Sequence, residues 1–256
     1  MSKHRLVKIE IIGPPGSGKS TLAFELEKIC KENNCTVTTT GALRDKCTLK
    51  ASMTQSWERI VSNIGARVDT LLEVARIFPL ILEPYRCGTH LQRSQFFRMM
   101  KAAYRHTFPQ KLWTKSILDG EILIIEPGWK MMLLNGYLYS KGRAEERFIS
   151  KFVSIVPTSW LTIGLYVEPE TAIARLKKRS RGLPKRMKQL VSSSWVNVVE
   201  RGNNTARLIC RVMFSRGYEV FEATSTDEVK PQELAGIIYN EKLAVFASEK
   251  SGFKYH

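Results

Sequence analysis

A glycine-rich run near the amino terminus contains residues that can bind phosphate. It reads GPPGSGKST from Gly13 to Thr21 and follows the pattern G-x-x-x-x-G-K-[ST]. Such glycines let backbone N–H groups converge on phosphate oxygens, Lys19 would reach the β- and γ-phosphates of a nucleotide, and Ser20 would offer its hydroxyl to Mg²⁺. The run predicts a site for ATP with Mg²⁺, and a glycine-rich turn without a ligand is the weaker alternative. The residues predicted to bind this cofactor are Gly13, Gly16, Ser17, Gly18, Lys19, Ser20 and Thr21.

A carboxylate that follows a short apolar run is the second candidate. Glu126 comes directly after Ile122–Ile125, a run typical of a strand buried on both faces of a parallel sheet. Because ligands bind at the carboxyl ends of parallel strands, we expect Glu126 beside the glycine-rich run. There it would hold Mg²⁺ together with Ser20, or accept the proton of an attacking hydroxyl. A solvated or helix-capping glutamate is the alternative.

A dense group of cations forms the third candidate. The chain from Arg175 to Lys188 carries many basic residues and no acid. Arginines that close over a triphosphate stabilise the charge on the transferring phosphoryl group, so we predict a basic lid over about residues 175–190, with Arg179 and Arg181 as catalytic residues beside Lys19 and Glu126. The alternatives are a solvated basic face, or a nucleic-acid surface flanked by Trp160 and Trp195.

Net charge and cysteine content indicate which ligands and which cellular compartment suit the chain. The chain of 256 residues has 40 Lys and Arg against 24 Asp and Glu, a formal net charge of +16, which would attract nucleotides, nucleic acid or an anionic membrane surface. Its five cysteines form no CxxC pair, so we expect reduced thiols in a cytoplasmic protein rather than disulfides or a zinc site. Neither a membrane span nor an export signal is visible.

Strands that alternate with helices must position these candidates. The alternation predicts parallel βαβ units, and hence an α/β fold with a parallel sheet of about five strands flanked by helices in a single domain over residues 1–256. The interval 42–115 is expected to be mainly helical, with an apolar stripe of Trp57, Ile60, Ile64, Val68, Leu71 and Leu72. The predicted strands are Val7–Ile12, Thr36–Thr40, Ile122–Ile125, Leu161–Val167 and Tyr218–Phe221; helices are predicted at Thr21–Lys31, from Pro169, and around Ala206–Phe214.

Four segments in this order resemble the nucleoside monophosphate kinase superfamily, and most closely its thymidylate-kinase-like branch. GPPGSGKST is similar to the phosphate loop of that family, and ILIIEPG to its strand that ends in an acidic residue. YVEPETAIARLKKRSRGLPKR resembles the strand, the Pro-Glu helix and the arginine-bearing lid, with Arg175, Arg179, Arg181 and Arg186 at lid positions. GYEVFEATSTDEVKPQELAGII resembles the closing strand, a short turn near the adenine, and the final helix.

The resemblance implies a three-layer P-loop NTPase fold with a helical acceptor-side insertion at about residues 42–116. It also places the acceptor pocket in the acid-free segment Pro84–Leu118, where Arg86, Arg93 and Arg98 would bind an anionic acceptor and Phe96, Phe97 or Tyr104 would stack on a base. A helical basic surface is the alternative reading of that segment. Glu126-Pro127-Gly128 stands where the branch has an Asp-Arg pair, and Met187 where its lid has an acid, so the resemblance does not identify the acceptor.

The leading hypothesis is an ATP- and Mg²⁺-dependent kinase that acts on a nucleotide or another small anionic or hydroxylated acceptor. Two alternatives stay open. The first is a nucleotide-driven switch that binds nucleic acid through its basic surface, and the second is a kinase-like scaffold that binds ATP without phosphoryl transfer. Oligomeric state is not fixed by the sequence, and a homodimer is one of the open arrangements.

Overall fold

The computed structural model describes residues 7–40, 57–86, 104, 122–126, 128–138, 144–156, 159–179, 183–188, 190–192 and 194–244. Five strands and eight helices alternate in these ranges. None of the described helices combines the length and the apolar character that a membrane crossing requires. Of the cysteines, Cys30, Cys35 and Cys210 lie buried as free thiols.

All five strands form one parallel sheet, as predicted, and they lie in the order β2-β3-β1-β4-β5. β-branched residues dominate β1 and β3, which suits strands that are covered on both faces. Both strands have the predicted bounds, and each lies inside the sheet with a neighbour on either side. The strands are β1 Val7–Ile12, β2 Val37–Thr39, β3 Ile122–Ile125, β4 Leu161–Tyr166 and β5 Glu219–Thr224.

The last strand lies later in the chain than the sequence predicts. It was expected at Tyr218–Phe221, whereas the sheet contains Glu219–Thr224, with Tyr166 of β4 opposite Thr224. β5 is an edge strand whose side chains are exposed or half-buried. An edge strand tolerates polar residues along its length, so the apolar run alone marks only part of it.

Helices cover both faces of the sheet and so create two cores. One core packs α3, α4, α7 and part of α2 on the sheet, and the other packs α1, α8 and a π-helical turn at Tyr239–Leu243 on the opposite face. The molecule is thus a three-layer α/β protein, as predicted. The helices are α1 Lys19–Glu32, α2 Trp57–Arg86, α3 Trp129–Leu138, α4 Glu146–Ile155, α5 Pro169–Lys178, α6 Lys185–Lys188, α7 Ser194–Ser215 and α8 Pro231–Ile238.

In the part of helix α2 whose side chains are described, the buried face differs from the predicted one; the side chains of Trp57, Ile60 and Ile64 lie outside the described residues. Val68, Leu71 and Leu72 of the predicted stripe are 49%, 57% and 65% exposed. The buried positions are instead Thr70, Val74, Ile77 and Phe78, and the helix packs against α3. Both sets recur at helical spacing, so the periodicity identifies the helix but does not decide which face meets the core.

The sheet order places three loops together at its carboxyl edge. β1 is central, with β3 on one side and β4 on the other, and the chain crosses from one side to the other after β3. The crevice at such a crossing point is where open α/β sheets bind ligands. Gly13 follows β1, Glu126 follows β3 and Val167 follows β4, so this crevice is the candidate site.

Candidate active site

The phosphate loop, Gly13–Thr21, connects β1 to α1 through a tightly enclosed turn. Gly16 and Gly18 have φ values of 86° and 87°, in the left-handed region that favours glycine. A Cβ atom on Gly16 would lie 2.6 Å from the carbonyl oxygen of Ala172 in α5. Gly13 packs in the same way against the backbone of Leu165 in β4. The loop therefore needs glycine at these positions both for its conformation and for its fit against β4 and α5.

The first turn of α1 presents backbone donors towards the crevice. The first amide that is bonded within the turn is that of Leu22, whose N–H donates to the Gly18 carbonyl oxygen over 2.9 Å. The preceding N–H groups of Lys19, Ser20 and Thr21 have no intrahelical acceptor, as at every helix start. Together with the partial positive charge of the helix end, they form a ready site for phosphate oxygens.

Lys19 lies folded back onto its own loop. Its Nζ donates to the carbonyl oxygens of Gly13 and Pro14 at 2.9 and 2.7 Å, and to Ser17 Oγ at 3.3 Å. Loss of solvation in this half-buried position lowers the pKa of Lys19 to about 8, although the Glu126 carboxylate raises that pKa and the Arg179 charge lowers it further. An anion in the loop would thus meet an ammonium group that lacks a full counter-charge.

Ser20 and Glu126 meet where β1 and β3 end side by side. Ser20 Oγ donates a hydrogen bond of 2.7 Å to Glu126 Oε1, across 106 positions of sequence. A hydroxyl and a carboxylate are hard oxygen ligands of the kind that Mg²⁺ binds alongside substrate phosphates. The donor set therefore fits a magnesium ion, and the two residues predicted as its ligands are adjacent.

Two residues that sequence reasoning missed hold the turn after β3. Thr40 Oγ1 accepts a hydrogen bond from the Glu126 N–H at 3.1 Å and donates one to the Glu126 carbonyl oxygen at 3.0 Å. Glu10 of β1 lies buried below the same turn and accepts from the N–H of Lys130 at 2.8 Å. The only sequence signal was the charge of Glu10 inside a mainly β-branched strand, where Lys8 is charged as well, and Thr40 gave none.

A second cavity opens on the opposite side of the phosphate loop. It has a volume of about 280 Å³, and its lining includes Ser17, Gly18 and Thr21 of the loop together with Thr224, the last residue of β5, and residues 225–227 after it. Arg175 of α5 forms one wall, where its guanidinium donates to Ser225 Oγ at 2.8 Å, to the Thr226 carbonyl oxygen at 2.9 Å and to Asp227 Oδ1 at 2.8 Å. Arg175 was predicted at the lid, but these three bonds hold it at this cavity instead.

The predicted lid segment is not one basic helix. Helix α5 ends at Lys178, and Lys177, Lys178 and Arg179 are exposed at its end. The short helix α6 is anchored by Met187, whose side chain is fully buried and whose carbonyl oxygen accepts the indole N–H of Trp195 at 3.0 Å. A methionine thus stands at this position because the side chain faces the core.

The two tryptophans of the nucleic-acid alternative lie apart. Trp195 contacts the basic segment, with Lys177 Nζ 5.8 Å from its ring centroid. Trp160 precedes β4 and packs against the core on the α1 side, at the opposite end of that strand. The predicted pair of flanking aromatic residues is therefore wrong for Trp160.

Most of the remaining predicted site residues have no described side chain. Arg181 and the acceptor candidates Arg93 and Arg98 lie outside the described residues, as do Phe96 and Phe97. Arg86 is the last residue of α2, and its side chain is likewise outside the description. The acceptor pocket and the second lid arginine stay predictions.

No protein-family model and no curated protein matches the sequence. Among solved structures, the chain is similar to a deoxyadenosine kinase from M. mycoides with bound dATP, at 15% identity and a TM-score of 0.45 over 92% of this chain and 98% of that one. The same enzyme with dCMP and dCDP gives 14% identity and 0.42 over 93% and 99%, and TT1252 from Thermus thermophilus gives 16% and 0.37 over 93% and 99%. Likeness at this level does not identify a substrate, so the function has to be argued from the geometry of the site.

Proposed function

We propose that this protein is a kinase that transfers the γ-phosphoryl group of ATP, with Mg²⁺, to a small hydroxylated or phosphorylated acceptor. The observation that carries the proposal is the 2.7 Å hydrogen bond between Ser20, inside the phosphate loop, and Glu126, at the end of the neighbouring strand. A loop that only needed to bind phosphate would not require a carboxylate there, because a lone negative charge repels the ligand. A carboxylate that shares a metal ion with the triphosphate removes that repulsion.

Lys19 would change partners when ATP binds. Its ammonium group now donates to two loop carbonyls, and the β- and γ-phosphates would replace them as stronger, charge-assisted acceptors. Ser20 and Glu126 would hold Mg²⁺, which would supply positive charge to neutralise the phosphate oxygens. Arg179 lies close enough for its charge to act on the pKa of Lys19, so it is the described lid cation best placed to stabilise the transferring group.

Glu126 has a second oxygen for the acceptor. Oε1 takes the Ser20 hydrogen bond, and among the described residues no hydrogen bond reaches Oε2. When the acceptor is an alcohol, its oxygen attacks the γ-phosphorus, the bond from phosphorus to the β,γ-bridging oxygen breaks, and the hydroxyl proton passes to a base. Oε2 would be that base, and ADP would leave with the electron pair of the broken bond.

The cavity beside the loop supports a nucleotide donor in particular. Because Ser17, Gly18 and Thr21 belong both to the phosphate loop and to the lining of the cavity, a nucleotide whose phosphates occupy the loop can place its base there. Arg175 offers the base a planar cation, of a kind that stacks on aromatic rings. We assign the base as adenine, in line with the resemblance of the segment after β5 to an adenine-side turn, and we retain the thymidylate-kinase-like branch as the proposed relative.

A second candidate function rests on the exposed cations. Lys177, Lys178, Arg179 and Lys188 are exposed, and among the described residues none of the four forms a salt bridge. Such a group would attract the phosphates of a nucleic acid as well as those of a nucleotide. In that case, turnover would depend on a polymer and would fall steeply with salt.

The release of ADP from ATP and Mg²⁺ by the purified protein tests both candidates. The acceptor panel would contain nucleoside monophosphates, nucleosides and small phosphorylated metabolites, with DNA and RNA in parallel. The kinase proposal predicts that one small acceptor stimulates ADP release and that Lys19→Ala lowers kcat by at least about 100-fold, the typical effect of removing one charge-stabilising donor. Stimulation by a polymer alone would favour the second candidate, and full activity of Lys19→Ala would refute the kinase.

A further inference from the structure

Thr40 occupies a position where one side chain serves both backbone groups of Glu126. The parallel pairing of β2 with β3 ends at Thr39 opposite Ile124, and Thr40 is the first residue after β2. Its hydroxyl then accepts from the N–H of Glu126 and donates to its carbonyl oxygen, at 3.1 and 3.0 Å. The side chain thus continues the strand pairing past the point where the backbone pairing stops. Since Thr40 is only 6% exposed, water cannot readily replace it.

The other end of the same turn is held by Glu10. Helix α3 begins at Trp129 without a side-chain cap of its own, because Gly128 precedes it. Glu10 Oε1 supplies the cap from β1 by accepting the N–H groups of Lys130 and Met131 at 2.8 and 3.4 Å. Gly128 packs against the same carboxylate, and a Cβ atom at this position would overlap it.

The buried charge of Glu10 is fully compensated. Lys130 Nζ donates to Glu10 Oε2 at 2.8 Å and to Ser159 Oγ at 2.7 Å, and Ser159 in turn contacts Thr162 Oγ1 at 3.1 Å. Glu10 and Lys130 are 3% and 0% exposed. A paired and hydrogen-bonded charge of this kind is costly to disturb, so the cap under α3 is a rigid support.

We propose that Thr40 is a positioning residue for Glu126, which it aims at the metal-binding oxygen of Ser20, with Glu10 fixing the start of helix α3 that follows. This inference rests on the proposed function and adds a residue to it. Thr40 anchors Glu126, and the next anchored backbone group along the chain is the N–H of Lys130, four residues later. Release of the Thr40 anchor would let Glu126 move relative to the phosphate loop while the fold stays in place.

Calorimetry with a non-hydrolysable ATP analogue tests this role without any turnover. The quantity measured is the Mg²⁺ concentration at which the effect of the metal on binding of the analogue is half-maximal. Thr40→Val keeps the shape of the side chain and removes its hydroxyl, whereas Thr40→Ser keeps a hydroxyl. Glu126→Gln removes the negative charge of the carboxylate that Thr40 positions. Thr38→Val is the matched control, since Thr38 lies two residues earlier in β2, is equally buried and makes no hydrogen bond to Glu126. Should Thr40→Val fail to fold, Thr40→Ala removes the same hydroxyl without adding bulk.

We expect Thr40→Val and Glu126→Gln to raise the half-saturating Mg²⁺ concentration about tenfold, the usual effect of removing a metal ligand's supporting partner. Thr40→Ser and Thr38→Val should stay within about twofold of the wild type, and affinity for the analogue in EDTA should be unchanged in the three threonine variants. A wild-type value for Thr40→Val beside a raised value for Glu126→Gln would overturn the positioning role alone. A wild type that does not bind the analogue, or that ignores Mg²⁺, would instead refute the proposed function.

Discussion

The two sides of the phosphate loop differ in how their side chains are held. On the metal side, formed by Ser20, Thr40, Glu126, Glu10 and Gly128, the supporting contacts of Thr40 and Glu10 are buried. On the base side, formed by Arg175, Ser225, Thr226 and Asp227, the ion pair joins an arginine side chain that is 28% exposed to an aspartate that is 80% exposed. One side is fixed by contacts that solvent cannot replace, and the other by contacts that solvent can.

This difference matches what the two sides would have to do. Phosphoryl transfer requires the metal and the attacking group within a fraction of an ångström of their reactive positions, which buried and compensated contacts can guarantee. A base pocket contributes to binding and can adjust as the nucleotide enters. Perturbations on the metal side should therefore have large effects, and those on the base side small ones.

The pH dependence of ATP binding should show the charges of Glu126 and Arg179 acting on Lys19. Below its pKa of about 8, Lys19 is charged in the free and bound protein alike, so affinity is independent of pH. Above that pH the free lysine loses its proton and must regain it to bind phosphate, so ATP affinity should fall about tenfold per unit between pH 8 and pH 10. Titrations in EDTA, which exclude the metal, measure this directly.

The same titrations separate the contributions of the two neighbours of Lys19. Glu126→Gln should lower the pH above which ATP affinity begins to fall, because the carboxylate raises the pKa of Lys19. Arg179→Ala should raise that pH, because the Arg179 charge lowers the same pKa. Lys19→Ala should bind ATP weakly, and its affinity should not begin to fall near pH 8. If the pH at which affinity begins to fall were unchanged in both Glu126→Gln and Arg179→Ala, the charges of these two residues would not affect the pKa of Lys19.

Gly128→Ala tests how rigid the metal side is. The new Cβ atom would overlap the buried Glu10 carboxylate, so we expect a loss of about 1–3 kcal/mol in the free energy of unfolding, as for other overpacked interiors. Urea denaturation measures it. Gly236→Ala is the matched control: its Cβ atom meets nothing within 4 Å on helix α8, and it should gain up to about 1 kcal/mol. Equal stability of the two variants would show that the Glu10 carboxylate can move to make room for the new Cβ atom, so the metal side is not rigid.

Asp227→Asn tests the base side and should have the smallest effect. It removes an ion pair with Arg175 that is largely solvated on the aspartate side. Exposed pairs contribute little, so the KM for ATP should rise less than about fivefold and kcat should not change. Steady-state kinetics with the acceptor found in the panel would measure both. A change in kcat comparable with that of a metal-side variant would remove the distinction between the two sides.

The buried parts of the structure could be predicted from the sequence because they carry a strong pattern. The run Ile122–Ile125 is apolar throughout, and Val7–Ile12 is mainly β-branched apart from Lys8 and Glu10, as is typical of interior strands. The bounds of both strands were predicted as observed. The glycine-rich motif and the position of Glu126 after β3 then place Ser20 and Glu126 at one edge, where the structure has them in contact. Sequence order and strand direction were enough for that inference.

The contacts that support the site could not be predicted in the same way. The role of Thr40 depends on which strands are neighbours and where their pairing ends, and a threonine after a strand is otherwise unremarkable in sequence. Arg175 belongs to a dense group of cations, and charge density does not reveal which member faces Asp227. The exposed stripe of α2 shows the same limit, since Val68 and Val74 are equally apolar and only packing distinguishes them.

The most direct test of the central claim is a double-mutant cycle on Ser20 and Glu126. For the wild type, Ser20→Ala, Glu126→Gln and the double variant, one would measure the ratio of ATP affinities with and without Mg²⁺. If the two oxygens hold one metal ion, the double variant should lose little more of the Mg²⁺ effect than the more impaired single variant, because the two residues act as a unit. Independent losses that multiply, or an undiminished Mg²⁺ effect in the double variant, would contradict the assignment of this pair as the metal site.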